Sequence, residues 1–146
     1  MSASKKFFTD EKRKAVMDAI AHAEKQTSGE IRLFIEDTCS GDVLDRAAFI
    51  FKELKMHKTS HRNGVLFYVA LESQKFAILG DAGINSKVKP DFWDAMKHEM
   101  KEHFKNNDLV SGLTKGINMA GDALQKHFPF LKSDKNELSD EIVFGK

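Results

Sequence analysis

Gly64-Val65-Leu66-Phe67-Tyr68-Val69-Ala70-Leu71 is the stretch on which the fold turns. It is a nearly unbroken apolar run without a charge, the pattern of a central strand covered on both faces. Glu72-Ser73-Gln74 then reads as a tight turn and Lys75 to Leu79 as the returning strand of a hairpin. The turn has no Asn-Gly or Asp-Gly pair, so the hairpin rests on spacing. Upstream, Glu30 to Glu36 puts Ile31, Leu33 and Ile35 on one face of a strand and Phe34 on the other, so this strand too is covered on both sides. Asp37 to Asp42 is a polar turn, after which Leu44, Ala47, Ala48, Phe51 and Leu54 mark an amphipathic helix. A strand–helix–strand crossover makes the first two strands parallel, and the hairpin makes the third antiparallel to the second.

Helices flank this centre. Thr9 is a candidate N-cap, followed by Asp10 and Glu11 and by an apolar face of Val16, Ala19, Ile20 and Ala23. Met56 to Asn63 and Gly80 to Lys89 read as loops. Pro90 fits the first turn of a third helix, with Asp91 beside it and a stripe of Trp93, Met96, Met100 and Phe104. Asp108 caps a fourth, whose face is Leu109, Leu113, Gly116, Ile117, Ala120 and Leu124. Glycines 112, 116 and 121 each cost that helix on the order of 1 kcal/mol relative to alanine, which marks them as places of close packing. The expected architecture is a three-layer α/β/α sandwich around a small mixed sheet.

The chain has 146 residues, enough for one domain over 1–131 with a polar tail over 132–146, in which Ile142-Val143-Phe144 is a candidate edge strand. Lys plus Arg number 23 against 22 Asp plus Glu, so no basic excess points to nucleic acid. The single cysteine, Cys39, excludes an intramolecular disulfide and a cysteine zinc cluster. No apolar run reaches membrane-spanning length, and Met1 to Phe8 lacks the apolar stretch of a secretory signal. A cytoplasmic monomer without a membrane anchor is the expectation.

Several catalytic signatures are excluded by spacing. Neither Gly64-Val65 nor Gly116-Ile117 continues as a phosphate-binding P-loop, and Gly80-Asp81-Ala82-Gly83 misses the dinucleotide pattern. His98 and His103 are five residues apart, so they diverge on a helix where a zinc pair needs i and i+4. A cysteine phosphatase loop needs arginine six residues after the cysteine, and Asp45 stands there with Arg46 one residue too far. The loop from Asp81 lacks the glycine and the terminal glutamate of an EF-hand, with Ser86 and Phe92 in their places.

Ser28-Gly29-Glu30-Ile31, Arg62-Asn63-Gly64-Val65-Leu66, Lys75-Phe76-Ala77-Ile78-Leu79-Gly80 followed by Gly83, and Phe104-Lys105-Asn106-Asn107-Asp108-Leu109 with Gly112-Leu113 resemble the TPM domain family. The resemblance covers residues 9–128. Asp81-Ala82-Gly83, where many members carry an aromatic residue between glycines, and Phe92-Trp93 after Pro90 depart from the pattern. The resemblance implies an α/β/α sandwich with a divalent cation, often calcium, near the loops at one sheet end. It also implies acid phosphatase activity in some members and regulatory roles in others.

The deduced topology leads to the same place. The starts of the first two strands (Glu30, Asn63), the exit of the third (Asp81, Asn85) and the head of the third helix (Asp91) share one sheet end. Their oxygens suit a hard cation, Ca²⁺ or Mg²⁺, as one or two ions. Plainer roles stand beside that one: Glu30 paired with Arg62 or Arg32, Asn63 capping a turn, and Asp91 serving the helix dipole. Asp37, Asp42 and Asp45 lie at the opposite end of the first strand, with Asp42 as a helix cap whose loop offers a weak second site. The function expected is a non-catalytic, metal-responsive regulatory or interaction module with an unidentified protein partner. The alternative is a metal-dependent acid phosphatase acting on phosphomonoesters, with His61 and Arg62 as nearby candidates but no nucleophile, base or arginine clamp.

Overall fold

A computed structural model of the chain describes residues 8–130 and 142–145. In chain order the elements are α1 (Asp10–Glu24), β1 (Glu30–Glu36), α2 (Val43–Glu53), a 3₁₀ turn (Met56–Lys58), β2 (Gly64–Ala70), β3 (Lys75–Gly80), α3 (Ala82–Asn85), α4 (Phe92–Lys105), α5 (Leu109–His127) and β4 (Val143–Phe144). The sheet order is β3-β2-β1-β4. β1 and β2 run parallel with Glu30 opposite Gly64, and β2 and β3 run antiparallel with Val65 opposite Gly80. All seven residues of β2 are buried, as the apolar run requires. Val143 and Phe144 form the edge strand, parallel to β1. The intervening tail, 132–141, lies outside the described residues.

Strand alternation sorts the core into two halves, one on each face of the sheet. Ile31, Leu33, Ile35, Val65, Phe67 and Val69 face α1, α4 and α5, whereas Phe34, Leu66, Tyr68, Ala70 and Ala77 face α2. The result is the expected α/β/α sandwich. α5 lies against both α1 and α4, and its glycines are what let it do so. A Cβ on Gly116 would lie 2.5 Å from Met100 Sδ, one on Gly112 2.3 Å from Phe104, and one on Gly121 2.7 Å from the Ala23 Cβ.

Three local expectations shift. The apolar stripe of α2 is rotated, with Ala47 and Ile50 buried and Leu44 49% exposed, because this helix packs under β3 and the 3₁₀ turn as well as under β2. The segment after β3 contains a short helix, α3, started by the Asp81 side chain accepting from the Ala82 N–H at 2.8 Å. α4 begins at Phe92, two residues after Pro90, and Asp91 is its N-cap without a side-chain capping bond.

Candidate functional site

The two ends of the parallel pair β1–β2 carry different chemistry. At the amino end, the topology brings Glu30, Asn63 and Asp81 to one rim. The Glu30 N–H donates to the Asn63 carbonyl at 3.4 Å, and the Asp81 N–H to the Gly64 carbonyl at 2.9 Å. Alternation places Glu30 and Asp81 on the α2 face, one on each side of Gly64, about 10 Å apart at two strand spacings. Met56 sits over the glycine between them, its carbonyl oxygen 3.2 Å from where a Cβ would stand. Asp81 is buried and its carboxylate accepts from Arg62 Nε at 2.7 Å and Nη2 at 2.8 Å. Those bonds hold the guanidinium proton more tightly than usual, Asp81 being the main cause. Arg62 therefore pairs with Asp81 and not with Glu30.

Of the other candidates at this rim, Asn63 and Asn85 are held by neighbours. Asn63 is fully buried, its Nδ2 donating to Ser28 Oγ and its N–H to Thr59 Oγ1, each at 3.2 Å. Its Oδ1 has no partner among the described residues. Asn85 Oδ1 accepts from Trp93 Nε1 at 2.8 Å, so it is committed to the head of α4. Asp91 is exposed at that same helix start. The loop crossing closes on a backbone bond, the Gly83 N–H donating to the Arg62 carbonyl at 2.7 Å.

At the carboxyl end, β1 finishes in Glu36, buried on the α2 face. Its carboxylate accepts from Arg46 Nε at 2.8 Å and Nη2 at 2.9 Å, and from the buried Tyr68 hydroxyl. Burial opposes the charge on Glu36, but the hydrogen bonds from Arg46 and Tyr68 outweigh it and keep the carboxyl below its ordinary range. Burial, then the hydrogen bond to Glu36 and its charge, push the Tyr68 hydroxyl well above the usual phenol range. This triad was missed by sequence reasoning, although Tyr68 offered a signal: a lone hydroxyl in an apolar central strand requires a buried acceptor.

Beside the triad opens a cavity of about 510 Å³ whose lining includes Glu36, Thr38, Ser40, Asp42, Asp45 and Arg46. Asp42 caps α2, Oδ1 accepting from the N–H groups of Leu44 and Asp45 at 2.8 and 3.1 Å. The ammonium of Lys75 rests on the carbonyls of Cys39 and Gly41, 3.2 Å from each. Cys39 is buried beneath this loop, its N–H donating to Ser73 Oγ at 2.8 Å. Phe49 stands at the cleft wall with the Arg46 guanidinium 5.5 Å from its ring centre. Among the described residues no three His, Cys, Asp or Glu side chains converge as a ready metal cluster, and no helix is long and apolar enough to cross a membrane.

A mixed sheet with one buried parallel pair, helices on both faces and polar crevices at the strand ends defines an α/β/α sandwich. The TPM domain family model matches residues 1–123, and the chain belongs to that family. The NMR structure of the BA42 protein from the psychrophilic bacterium Bizionia argentinensis is similar over 94% of both chains, with 49% identity and a TM-score of 0.87. The N-terminal domains of the cg2496 protein from Corynebacterium glutamicum and of a protein from P. gingivalis share the fold at 14% and 15% identity, with TM-scores of 0.55 and 0.57. They are covered over 74% and 82% of their lengths by 85% and 90% of this chain. Curated protein sequences yielded no match.

Proposed function

We propose that this TPM domain is a non-catalytic, divalent-cation-responsive binding module, and that the ion enters the cleft at the carboxyl end of β1. One observation carries the reading: with Glu36 neutralised by Arg46, the cleft wall still holds two carboxylates (Asp42, Asp45) and two hydroxyls (Thr38, Ser40). A wall of oxygen donors with a net negative charge suits Ca²⁺, and Mg²⁺ less well because it demands stricter octahedral geometry. The carboxylates line the space without converging, so capture requires loop 37–42 to draw in. Nothing lies within 4 Å of where a Gly41 Cβ would stand, and the contact to be rearranged is the Lys75 ammonium on the Cys39 and Gly41 carbonyls. Binding is then a conformational event, and metal level shifts a population. Leu44 and Phe49, 49% and 54% exposed on α2 beside the cleft, are the apolar surface through which a protein partner would sense that shift. The amino-end rim, with Glu30, Asn63 and Asp81, is the place for a second ion, which would have to displace Arg62.

The test is a calcium titration followed by amide NMR, with Asp42→Asn and Asp45→Asn as variants. Asparagine caps a helix as well as aspartate, so Asp42→Asn removes charge and leaves α2 intact. Saturable shifts over 36–46 and 73–75 are expected, at least tenfold weaker in the double variant. Shifts confined to 61–64 and 80–91 would move the site to the other rim, and no shift at millimolar calcium would remove the ion from the account. Metal-dependent phosphomonoester turnover abolished by Asp45→Asn would make the domain the acid phosphatase instead.

A further inference from the structure

We propose that the domain carries a second ligand site, distinct from the cleft, which takes a small amphiphilic carboxylate: an anionic head on an apolar body. A cavity of about 480 Å³ opens between the β2–β3 hairpin and the junction of α4 with α5, on the opposite face of the sheet from α2. That volume lies within the range of small-molecule pockets. Its inner wall is apolar, built from Phe76 and Phe104, which meet edge to face with ring centres 4.9 Å apart, and from Leu109.

The charge on the lining is one-sided. Lys75, Lys101 and Lys105 contribute to it and no Asp or Glu does, in a chain whose acidic and basic residues number 22 and 23. Lys75 gives only its aliphatic stem, since its ammonium is held by the Cys39 and Gly41 carbonyls. Lys101 and Lys105, one helical turn apart on α4 and both exposed, remain as two ammonium groups at the mouth. Cations at an entrance above an aromatic floor complement an anion that has an apolar tail. A bare anion would leave the apolar floor uncovered, and a neutral hydrocarbon would gain nothing from the two ammonium groups.

Decanoate and its uncharged counterpart decanol are the probes, read by amide and methyl NMR on the whole chain. Decanoate is expected to shift residues 69–76 and 101–109 saturably. Decanol and inorganic phosphate should each bind at least about tenfold more weakly, the scale of a charge-assisted contact. Lys101→Gln with Lys105→Gln should bring decanoate down to the level of decanol, and Lys101→Arg with Lys105→Arg should retain it. These lysines are exposed, so the spectrum of each variant should stay that of the folded domain. Equal binding of decanoate and decanol, equal binding of phosphate, or no saturable shift overturns the proposal. So does a shift of these residues with protein concentration alone, which assigns the groove to a second copy of the chain.

Discussion

Each rim of the sheet answers a buried carboxylate with an arginine, and the amino end buries a second, Glu30, yet only one rim has interlocked loops. At the amino end the loops interlock: a Cβ on Gly83 would stand 2.0 Å from the His61 carbonyl oxygen and 2.6 Å from that of Arg62, both rigid backbone atoms. At the carboxyl end nothing lies within 4 Å of where a Gly41 Cβ would be. The carboxylates differ in the opposite sense. Glu36 is held by a guanidinium and a buried phenol, whereas Asp81 answers to Arg62, whose side chain is 53% exposed. The carboxyl-end rim thus joins a rigid anchor to a loop tied by Ser73 and Lys75 but open around Gly41, and the amino-end rim joins tight loops to a half-solvated ion pair. A ligand-responsive element belongs where the backbone can move without dissolving its anchor.

The sharpest way to break this contrast is Gly83→Ala, which should cost about 3 kcal/mol, the upper part of the range for overpacking, in urea unfolding. A cost below about 1 kcal/mol would mean the loops are not interlocked. Next, Glu36→Gln should cost about 2 kcal/mol, since it weakens the acceptor for both Arg46 and the buried Tyr68 hydroxyl. Tyr68→Phe, which removes one donor and leaves Arg46 in place, should cost about 1 kcal/mol. The same anchor sets a pH dependence. Because the folded Glu36 carboxyl is held below its ordinary range, its stabilisation is complete above the unfolded glutamate value of about 4.3 and is lost as pH falls through the lower folded value. Glu36→Gln should flatten that acid limb, and an unchanged limb would sever Glu36 from it. Arg62→Ala should cost less than these, because the arginine side of that pair is half in water. Gly41→Ala should be the smallest, neutral or stabilising by about 0.4 kcal/mol through the unfolded chain, because the residue has neither a positive φ nor a close neighbour.

Arg62 also shows how a side chain justifies its backbone. Its φ of 52° lies in the left-handed region, where a side chain costs about 1 kcal/mol relative to glycine. The bidentate bond to Asp81 is what arginine contributes at a position that glycine would fill more easily.

Much of this was readable one residue at a time. The run from Gly64 to Leu71, the Thr9 cap and the three glycines of α5 act through local pattern and volume, so they keep their meaning wherever the chain folds. The meeting of Glu30, Asn63 and Asp81 at one rim was readable as well, because parallel and antiparallel pairing follow from connection order. Partner choice was not. Nothing in the spacing of Arg62 prefers Asp81 to Glu30, and the presence of Met56 over Gly64 between the two carboxylates depends on how the 3₁₀ turn packs. The exposed Leu44 likewise obeys the tilt of α2 under β3, which an apolar repeat leaves unspecified.

The amino-acid order by itself determined the layers, the strand directions and the family, because burial of apolar side chains is strong, short-ranged in sequence and indifferent to exact partners. Only the tertiary structure decided which carboxylate meets which guanidinium, which rim is locked and which cleft stays open. Those outcomes depend on hydrogen-bond geometry at the ångström scale between segments far apart along the chain.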